Sequence, residues 1–170
     1  KAVAELCLGA GASRVIIMDN PLRDAEVCKE KNGISQAVNG LKGVVIFMAK
    51  DEKFFKLTDV AGAKELKTTS IAKEVLNADC LINIPAAKCH SATGVSLGIK
   101  NLMGLVFDRQ TFHQDLELNR AIAEQLLVMK PKLTIISAIN VLTTNGPGGP
   151  GKIVDLNKVV ASADPVAADS

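Results

Sequence analysis

Both histidines of the chain lie in one stretch, AKCHSATGVSLGIKNLMGLVFDRQTFH, which runs from Ala87 to His113. Three cationic side chains accompany them: Lys88, Lys100 and Arg109. The stretch contains a single acidic residue, Asp108. Lysine and arginine bind carboxylates and phosphates, and histidine exchanges a proton near neutral pH. The residue types therefore predict a ligand site for an anionic group.

The two histidines, His90 and His113, are candidates for proton transfer or for metal ligation. The H-x-x-x-H spacing is absent, and two histidines do not make a three-histidine metal site. A metal ion at His113 would need further ligands. The candidates for these are the carboxylates of Asp19 and Asp164 and the thiolate of Cys89. A structural role for a histidine in a loop is the alternative that the sequence leaves open.

The segment from Ser91 to Gly94 is predicted to begin a helix. The hydroxyls of Ser91 and Thr93, and the backbone N–H groups up to Gly94, would then suit a phosphate or a carboxylate. In the alternative interpretation, these residues only cap the helix. The segment has the glycine spacing of neither a Walker A loop nor a dinucleotide-binding fingerprint.

Two other polar features extend the candidate site. Asn101 follows Lys100 in an otherwise apolar helical pattern, GIKNLMGLV, where a buried amide would need a partner. The loop TTNGPGGPG contains Asn145 and Gly146, and its backbone amides would suit close contact with an anion. Both features have simpler interpretations, because Lys100 could reach water from an exposed helix face and the loop could be a stiff turn.

Strand-like apolar runs alternate with helical patterns along the chain, which is typical of an α/β domain. We expect a single domain over 1–170, built as three layers, with a largely parallel sheet flanked by helices and a charged, variable edge region around 50–67. DCLINIP is predicted to be a buried strand, and SIAKEVLNA a helix capped by Ser70. If the strands are parallel, the loops that follow them meet at one edge of the sheet, where ligands bind.

Composition and charge exclude several classes of function. A hydrophobic content of 48% excludes intrinsic disorder. A net charge of +2 without a basic block gives no support to a nucleic-acid partner. No apolar run reaches the roughly 20 residues that a membrane-spanning helix needs. The four cysteines show no C-x-x-C spacing, so we expect no iron–sulfur cluster within these residues.

Both ends of the sequence are predicted to be cut from a longer parent. The chain opens without Met inside a helical pattern and stops at an expected helix start. Nothing in it resembles a signal peptide, which favours a cytoplasmic location, although an exported protein would have lost its signal before Lys1.

Several blocks of the sequence resemble the DUF362 family, in order and at similar spacing. They are GAGASRVIIMDNP, LINIPAAKCHSATGVSLGIKNLMGLVFDRQTFH, KPKLTIISAINVLTTNGPGGP and VVASADPVAAD. The central motif is K-x-H, then G, then K-N-x-x-G, then R, then H. The matching positions here are Lys88, His90, Gly94, Lys100, Asn101, Gly104, Arg109, His113, Asn145, Gly146 and Asp164.

The resemblance implies a redox setting but no particular reaction, because the family has no agreed activity. Many members carry a ferredoxin-like module with iron–sulfur clusters elsewhere in the chain, and some are exported in folded form. The resemblance therefore implies an oxidoreductase-associated enzyme, with such a module or another redox partner. A cluster could lie in a longer parent chain.

A fainter likeness concerns the segment H-S-A-T-G-V-S-L-G-I-K, which is similar to the cofactor-binding segment of the nickel-pincer lactate racemases. In those enzymes a lysine is joined to a pyridinium-derived nucleotide and a histidine binds the metal. This likeness implies that Lys100 is the attachment point and His113 the nickel ligand. The additional histidines of the racemases have no counterpart in this chain.

We therefore expect an α/β domain that binds a small anionic ligand or cofactor at the carboxyl-terminal rim of its strands, in a redox context. The candidate catalytic residues are His90, His113 and Lys100. The candidate ligand-binding residues are Lys88, Ser91, Thr93, Gly94, Asn101, Arg109, Asn145 and Gly146. Two alternatives stand beside this prediction: a non-catalytic binding or scaffold domain for a redox partner, and a nickel-pincer racemase-like enzyme.

Overall fold

The computed structural model describes residues 1–170, whose elements fall into two units, Lys1–Phe54 and Phe55–Ser170. The first unit contains α1 (Ala2–Gly9), β1 (Val15–Asp19), α2 (Ala25–Lys31), α3 (Ile34–Ala37), β2 (Val44–Met48) and a 3-10 turn at Glu52–Phe54. The apolar runs VIIMD and VVIFM form β1 and β2, which pair in parallel. Asp24 caps α2 by accepting a hydrogen bond from the backbone N–H of Val27.

The second unit contains the remaining strands and helices. The strands are β3 (Phe55–Asp59), β4 (Thr68–Ala72), β5 (Ile82–Asn83), β6 (Ala86–His90), β7 (Gly94–Ser96), β8 (Leu133–Leu142) and β9 (Ile153–Ser162). The helices are α4 (Lys73–Asn77), α5 (Gly98–Asn101), α6 (Arg109–Gln114), α7 (Leu118–Glu124) and α8 (Pro165–Asp169). Single 3-10 turns continue α5 over Leu102–Leu105 and α7 over Gln125–Leu127.

Strand β8 is the centre of a five-stranded sheet. Along one edge it pairs in parallel with β5 and then with β6, and β9 pairs with it antiparallel over nearly its whole length. Strand β7 extends the sheet by pairing antiparallel with β6. The parallel pairing of β6 and β8 brings the carboxyl ends of these two strands to the same edge.

The α/β class is confirmed, but the expected three-layer, largely parallel sheet is not what the structure shows. The sheets are small and mixed: β1 and β2 form a parallel pair, β3 and β4 an antiparallel pair, and the larger sheet has both pairings. The difference arises because β6 and β7, like β8 and β9, are joined by loops without a crossover helix, so they pair antiparallel. The charged region around 50–67 contains the edge strand β3.

Two local predictions are wrong in their detail. Ser70 does not cap a helix, because it lies in β4 opposite Leu57, and α4 begins only at Lys73. DCLINIP does not form a long buried strand, since only Ile82–Asn83 pairs with β8. In both places pairing with a distant strand overrides the local pattern.

The main core of the second unit packs mostly aliphatic side chains between its helices and β4. Leu102 and Met103, which follow α5, are buried there together with Phe112 of α6 and Ile71 of β4. These side chains fix the two helices that carry most of the cationic residues. No helix is both long enough and apolar enough to cross a membrane.

Candidate functional site

Lys88 and His90 project from the same face of β6, because side chains alternate along a strand. Ala87, one residue before Lys88, is buried against Ile136 on the other face. The thiol of Cys89 also lies on that other face, where it accepts a hydrogen bond from the backbone N–H of Gly146 at 3.2 Å. Cys89 is therefore turned away from its two charged neighbours.

Arg109 and His113 lie four residues apart on α6, so both occupy one side of that helix. Asp108 starts the helix: its carboxylate accepts hydrogen bonds from the hydroxyl of Thr111 at 2.7 Å and from the backbone N–H of Thr111 at 3.4 Å. The buried Phe112 anchors the same helix in the core. The single acidic residue of the motif thus has a structural role.

The two histidine rings face each other across the gap between β6 and α6. The ring centroids of His90 and His113 are 6.2 Å apart, and the ring planes differ by 8°. The Nδ1 atom of His90 accepts a hydrogen bond from the backbone N–H of Ala92 at 3.1 Å. This bond assigns the proton of the neutral imidazole to Nε2, which leaves an N–H donor for a ligand.

Lys100 is half-buried on α5, and its ammonium has no carboxylate partner. The Nζ atom contacts the sulfur of Met103 at 2.8 Å, and a thioether is only a weak acceptor. Neither His90 nor His113 forms an ion pair with a carboxylate either. A charged group that loses water without gaining a counter-charge is destabilised in its charged form.

The pKa values of these groups reflect that environment. Burial, followed by the charge of Arg109, lowers the pKa of Lys100 to about 8. Burial, followed by Lys100, lowers the pKa of His113. Burial also lowers the pKa of His90, with Lys100, His113 and Lys88 as further causes in that order. The cationic residues of the motif therefore lie close enough to repel one another, and we call them the cationic cluster: Lys88, His90, Lys100, Arg109 and His113.

Helix α5 is held in place by groups that the sequence did not indicate. The carboxylate of Asp169, on α8, accepts hydrogen bonds from the backbone N–H groups of Gly98 at 2.7 Å and Ile99 at 2.9 Å. The buried Asn83 of β5 accepts a hydrogen bond from the Asn101 side chain at 2.8 Å and donates one to the Gly98 carbonyl. The amide of Asn101 thus has a structural partner. The sequence held one sign of this partner: Asn83 is a polar residue within the apolar run LINIP, and buried polar groups are usually hydrogen-bonded.

Ser91–Gly94 does not begin a helix, which corrects the sequence prediction. These residues form the turn between β6 and β7 and start β7. The Thr93 hydroxyl donates a hydrogen bond to the carbonyl of Val95 at 2.7 Å, and the Ser91 N–H donates one to the carbonyl of Gly146 at 3.2 Å. Short strands with an intervening turn pair as a hairpin here, so no helix dipole is directed at a ligand.

The loop after β8 approaches the hairpin closely at Gly146. A Cβ atom on this residue would lie 2.0 Å from the carbonyl oxygen of Cys89, so only glycine fits. The Asn145 side chain donates a hydrogen bond to the carbonyl of Pro150 within the same loop. Both residues therefore support the loop beside the end of β6.

The expected meeting of all strand-end loops at one rim is only partly realised. The loops after β6 and β8 are together because those strands are parallel. The SADP loop lies at the opposite end of the sheet, because β9 is antiparallel and Ser162 is opposite Thr134. Asp164 accepts hydrogen bonds from the backbone N–H groups of Val166 and Ala167 and so caps α8.

The donor atoms needed for a metal site do not assemble from protein side chains. No three side chains of histidine, cysteine, aspartate or glutamate come together in a metal-ligand arrangement. The four cysteines are unpaired and are distributed over Cys7, Cys28, Cys80 and Cys89. They do not fit an iron–sulfur cluster, and a metal at His113 would need ligands from outside these residues.

Lys100 borders a shallow groove of about 200 Å³ between the β6–β7 hairpin and α7. Its walls include Val95, Ile99 and Ile122, with the Asp169 carboxylate at one side. A larger groove of about 560 Å³ lies between β3 and α4. Neither groove is lined by a histidine or a cysteine. We place the candidate site at the cationic cluster because the two imidazole rings meet there and interact with the charge of Lys100.

The comparisons with known proteins identify the family of the chain. The chain is 29% identical over 108 residues to a "Thylakoid-associated protein sll1697" of Synechocystis sp. strain PCC 6803. The match covers 58% of this chain and 33% of that relative, so the chain spans about a third of the relative's length. The family model described as "Domain of unknown function (DUF362)" matches residues 1–170, which is the whole chain and both of its units. The chain therefore belongs to the DUF362 family.

Proposed function

We propose that the cationic cluster binds a small anion carrying a carboxylate or a phosphate group. The observation that carries this proposal is the meeting of His90, His113 and Lys100 without a carboxylate counter-charge. Like charges raise each other's free energy when they are partly buried, and an anion between them removes that cost. The cluster is built from separate elements: β6 packs against Ile136 through Ala87, and α5 and α6 are held by the main core.

The individual residues would divide the work of binding. Arg109 can donate two parallel hydrogen bonds to a carboxylate or phosphate, and Lys88 and Lys100 supply point charges. His90 would donate its Nε2–H to the ligand, and His113 offers a second imidazole on the other side. Ser91, Thr93, Gly94, Asn145 and Gly146 would shape the neighbouring turn and loop rather than hold the charge.

Sulfate is a suitable probe because it stays a dianion throughout the pH range of interest. We expect Arg109→Gln to weaken sulfate binding about tenfold, which is the typical loss when one charge-assisted contact is removed. The matched control is Arg120→Gln, since Arg120 is an exposed arginine on α7, outside the cluster. Isothermal titration calorimetry measures both variants. Equal affinity in wild type and Arg109→Gln, or no sulfate binding by wild type, would contradict the proposal.

We further propose that the two units together form one domain acting in a redox setting. The family model spans both units. The resemblance to the family implies an iron–sulfur module elsewhere in the chain of many members. His90 and His113 would transfer protons to or from the bound anion, as expected of an oxidoreductase-associated enzyme. The partner would then be a ferredoxin-like module or another redox protein.

A non-catalytic docking domain is the second candidate, and β9 favours it. This strand pairs with β8 along one edge only, and most of its residues are exposed on both faces. An open edge strand can add a strand from a partner through main-chain hydrogen bonds. A pincer-like attachment at Lys100, with His113 as a metal ligand, remains a further prediction, supported by the closeness of these two side chains.

A further inference from the structure

We propose that Lys100 is a nucleophilic amine that forms an imine with the carbonyl group of a small anionic carbonyl compound, such as a 2-oxo acid. This inference rests on the proposed anion site and names the substrate class that the site would take. It assigns to Lys100 a covalent role in addition to its charge.

The position of Lys100 suits a nucleophile. Its side chain is half-buried, and its Nζ atom contacts the Met103 sulfur, which is a weak acceptor, at 2.8 Å. A lysine that is desolvated and close to another cation loses its proton readily, and its lone pair then becomes available for attack. The groove of about 200 Å³ beside it is large enough for a compound of a few carbon atoms and leads to solvent.

The charged groups around Lys100 come from three elements. Lys100 interacts electrostatically with Arg109 and His113 of α6 and with His90 of β6, and Lys88 interacts in turn with His90. The carboxylate of Asp169, on α8, lines the same groove as Lys100, and its oxygens accept hydrogen bonds from the backbone N–H groups of Gly98 and Ile99. The net effect is positive, which lowers the pKa of Lys100 to about 8, after the larger effect of burial.

The same arrangement would hold the substrate in a reactive position. Arg109 does not line that groove, but its charge acts on Lys100, so it would bind the carboxylate of a 2-oxo acid whose carbonyl carbon lies at the Lys100 amine. A surface lysine, by contrast, has an ordinary pKa of 10.5 and is almost wholly protonated at pH 7. A pKa of about 8 gives Lys100 a fraction of neutral amine that is ~300-fold larger at that pH.

The chemistry balances without an oxidant or a reductant. The lone pair of the neutral Nζ attacks the carbonyl carbon, the C–N bond forms, and the C=O π electrons move to oxygen. A proton passes from nitrogen to that oxygen, with His113 or His90 as carrier, to give a carbinolamine. The nitrogen lone pair then forms the C=N bond as the C–O bond breaks, and the oxygen takes a second proton from the same histidine and leaves as water. The remaining N–H proton of the carbinolamine returns to that histidine, which restores it. The products are one imine and one water molecule.

Reductive trapping tests this inference on the full chain. Pyruvate and sodium cyanoborohydride at pH 7 convert an imine into a stable secondary amine, and peptide mapping by mass spectrometry locates it. We expect Lys100 to carry at least about tenfold more label than the exposed Lys130 in the same wild-type sample. Saturating sulfate should reduce the label at Lys100 and leave the label at Lys130 unchanged.

The variant Lys100→Arg separates this inference from the anion site on which it rests. Arginine keeps the positive charge but does not form the imine, so sulfate binding should persist while selective labelling is lost. Thermal unfolding checks that the variant is folded, and the wild-type mapping does not depend on it.

Sulfate binding with equal labelling of Lys100 and Lys130 would overturn the imine and leave the anion site standing. Failure of sulfate to bind or to protect Lys100 would overturn both. A stable extra mass on Lys100 before treatment would also overturn the imine, in favour of a pincer-like attachment.

Discussion

At the scale of single residues, the cationic cluster shows how strand and helix periods combine to make a site. Lys88 and His90 are two apart on a strand, and Arg109 and His113 are four apart on a helix, so each pair lies on one face. The sequence indicated these residues by type. It did not indicate that the two imidazole rings would be parallel at 6.2 Å, because that depends on how α6 packs in the core.

The lowered pKa values of His90 and His113 give a signed pH prediction. Because each folded-state pKa lies below the ordinary 6.5, the folded protein binds fewer protons than the unfolded chain as the pH falls. The contribution of these groups to stability is therefore present above pH 6.5 and is lost as the pH falls towards the folded pKa values. Proton NMR titration should give two imidazole pKa values below that of the urea-unfolded chain.

Sulfate should reverse these shifts, since a bound dianion favours the charged imidazoles and the charged Lys100. By linkage, sulfate affinity should rise as the pH falls from 8 to 6. Arg120→Gln is again the matched control and should leave both pKa values unchanged. Imidazole pKa values at or above 6.5 without sulfate, or unmoved by sulfate, would contradict the burial and repulsion described here.

At the scale of elements, continuous β-branched runs were good predictors and capping signals were not. The strands β1, β2 and β8 were correctly predicted, because each is a run of apolar residues long enough to pair on its own. The helix starts predicted at Ser70 and at Ser91–Gly94 are wrong, because serine and threonine are also common outside helix starts, for example in turns. Helix α6 has a genuine N-terminal cap, in which Asp108 accepts hydrogen bonds from Thr111; the sequence analysis did not predict this cap.

Helix α5 offers an element-scale test of how tightly the site is positioned. A Cβ atom on Gly98 would lie 2.6 Å from the Asp169 carboxylate and 2.8 Å from the Thr134 methyl group. We expect Gly98→Ala to lower the free energy of unfolding by about 1–3 kcal/mol, the usual cost of overpacking, and to weaken sulfate binding by displacing Lys100. Urea unfolding measures the first effect.

Gly148→Ala is the control for this substitution, because a Cβ atom there would have no neighbour within 4 Å. It should change the stability by less than about 0.5 kcal/mol, as most surface substitutions do. If Gly98→Ala behaved like Gly148→Ala, the close approach of α5 and α8 would not constrain the site.

At the scale of the whole molecule, the exposure of strand β9 could not be predicted from the sequence pattern. Its run IVDLNKVVAS reads as a strand, yet none of its ten residues is buried: eight are exposed, and Val154 and Ser162 are half-buried. Both faces of the strand therefore remain accessible. Val159 and Val160 are 58% and 43% exposed, and Ile153 is 61% exposed. Hydrophobic side chains on an open edge strand promote association with another chain.

We expect Val159→Lys to reduce concentration-dependent association, because a charge on an edge strand opposes edge-to-edge pairing. Sedimentation velocity over a range of protein concentrations measures the change. Lys158→Gln is a suitable comparison, since it removes a charge from the neighbouring position and should increase association. A monomer at all concentrations in wild type, or no difference between the variants, would exclude β9 as a self-association surface.

The hydrogen bonds from Gly98 and Ile99 to Asp169 also bear on how the protein is made. These groups are 71 and 70 positions apart in the chain, so the helix that carries Lys100 receives its cap from a residue that is translated much later. A ribosome that has synthesised the whole histidine-containing motif has therefore not yet produced the group that fixes its lysine. The anion site can mature only after Asp169 has emerged, so a nascent chain stalled before that residue should contain the motif without the finished site.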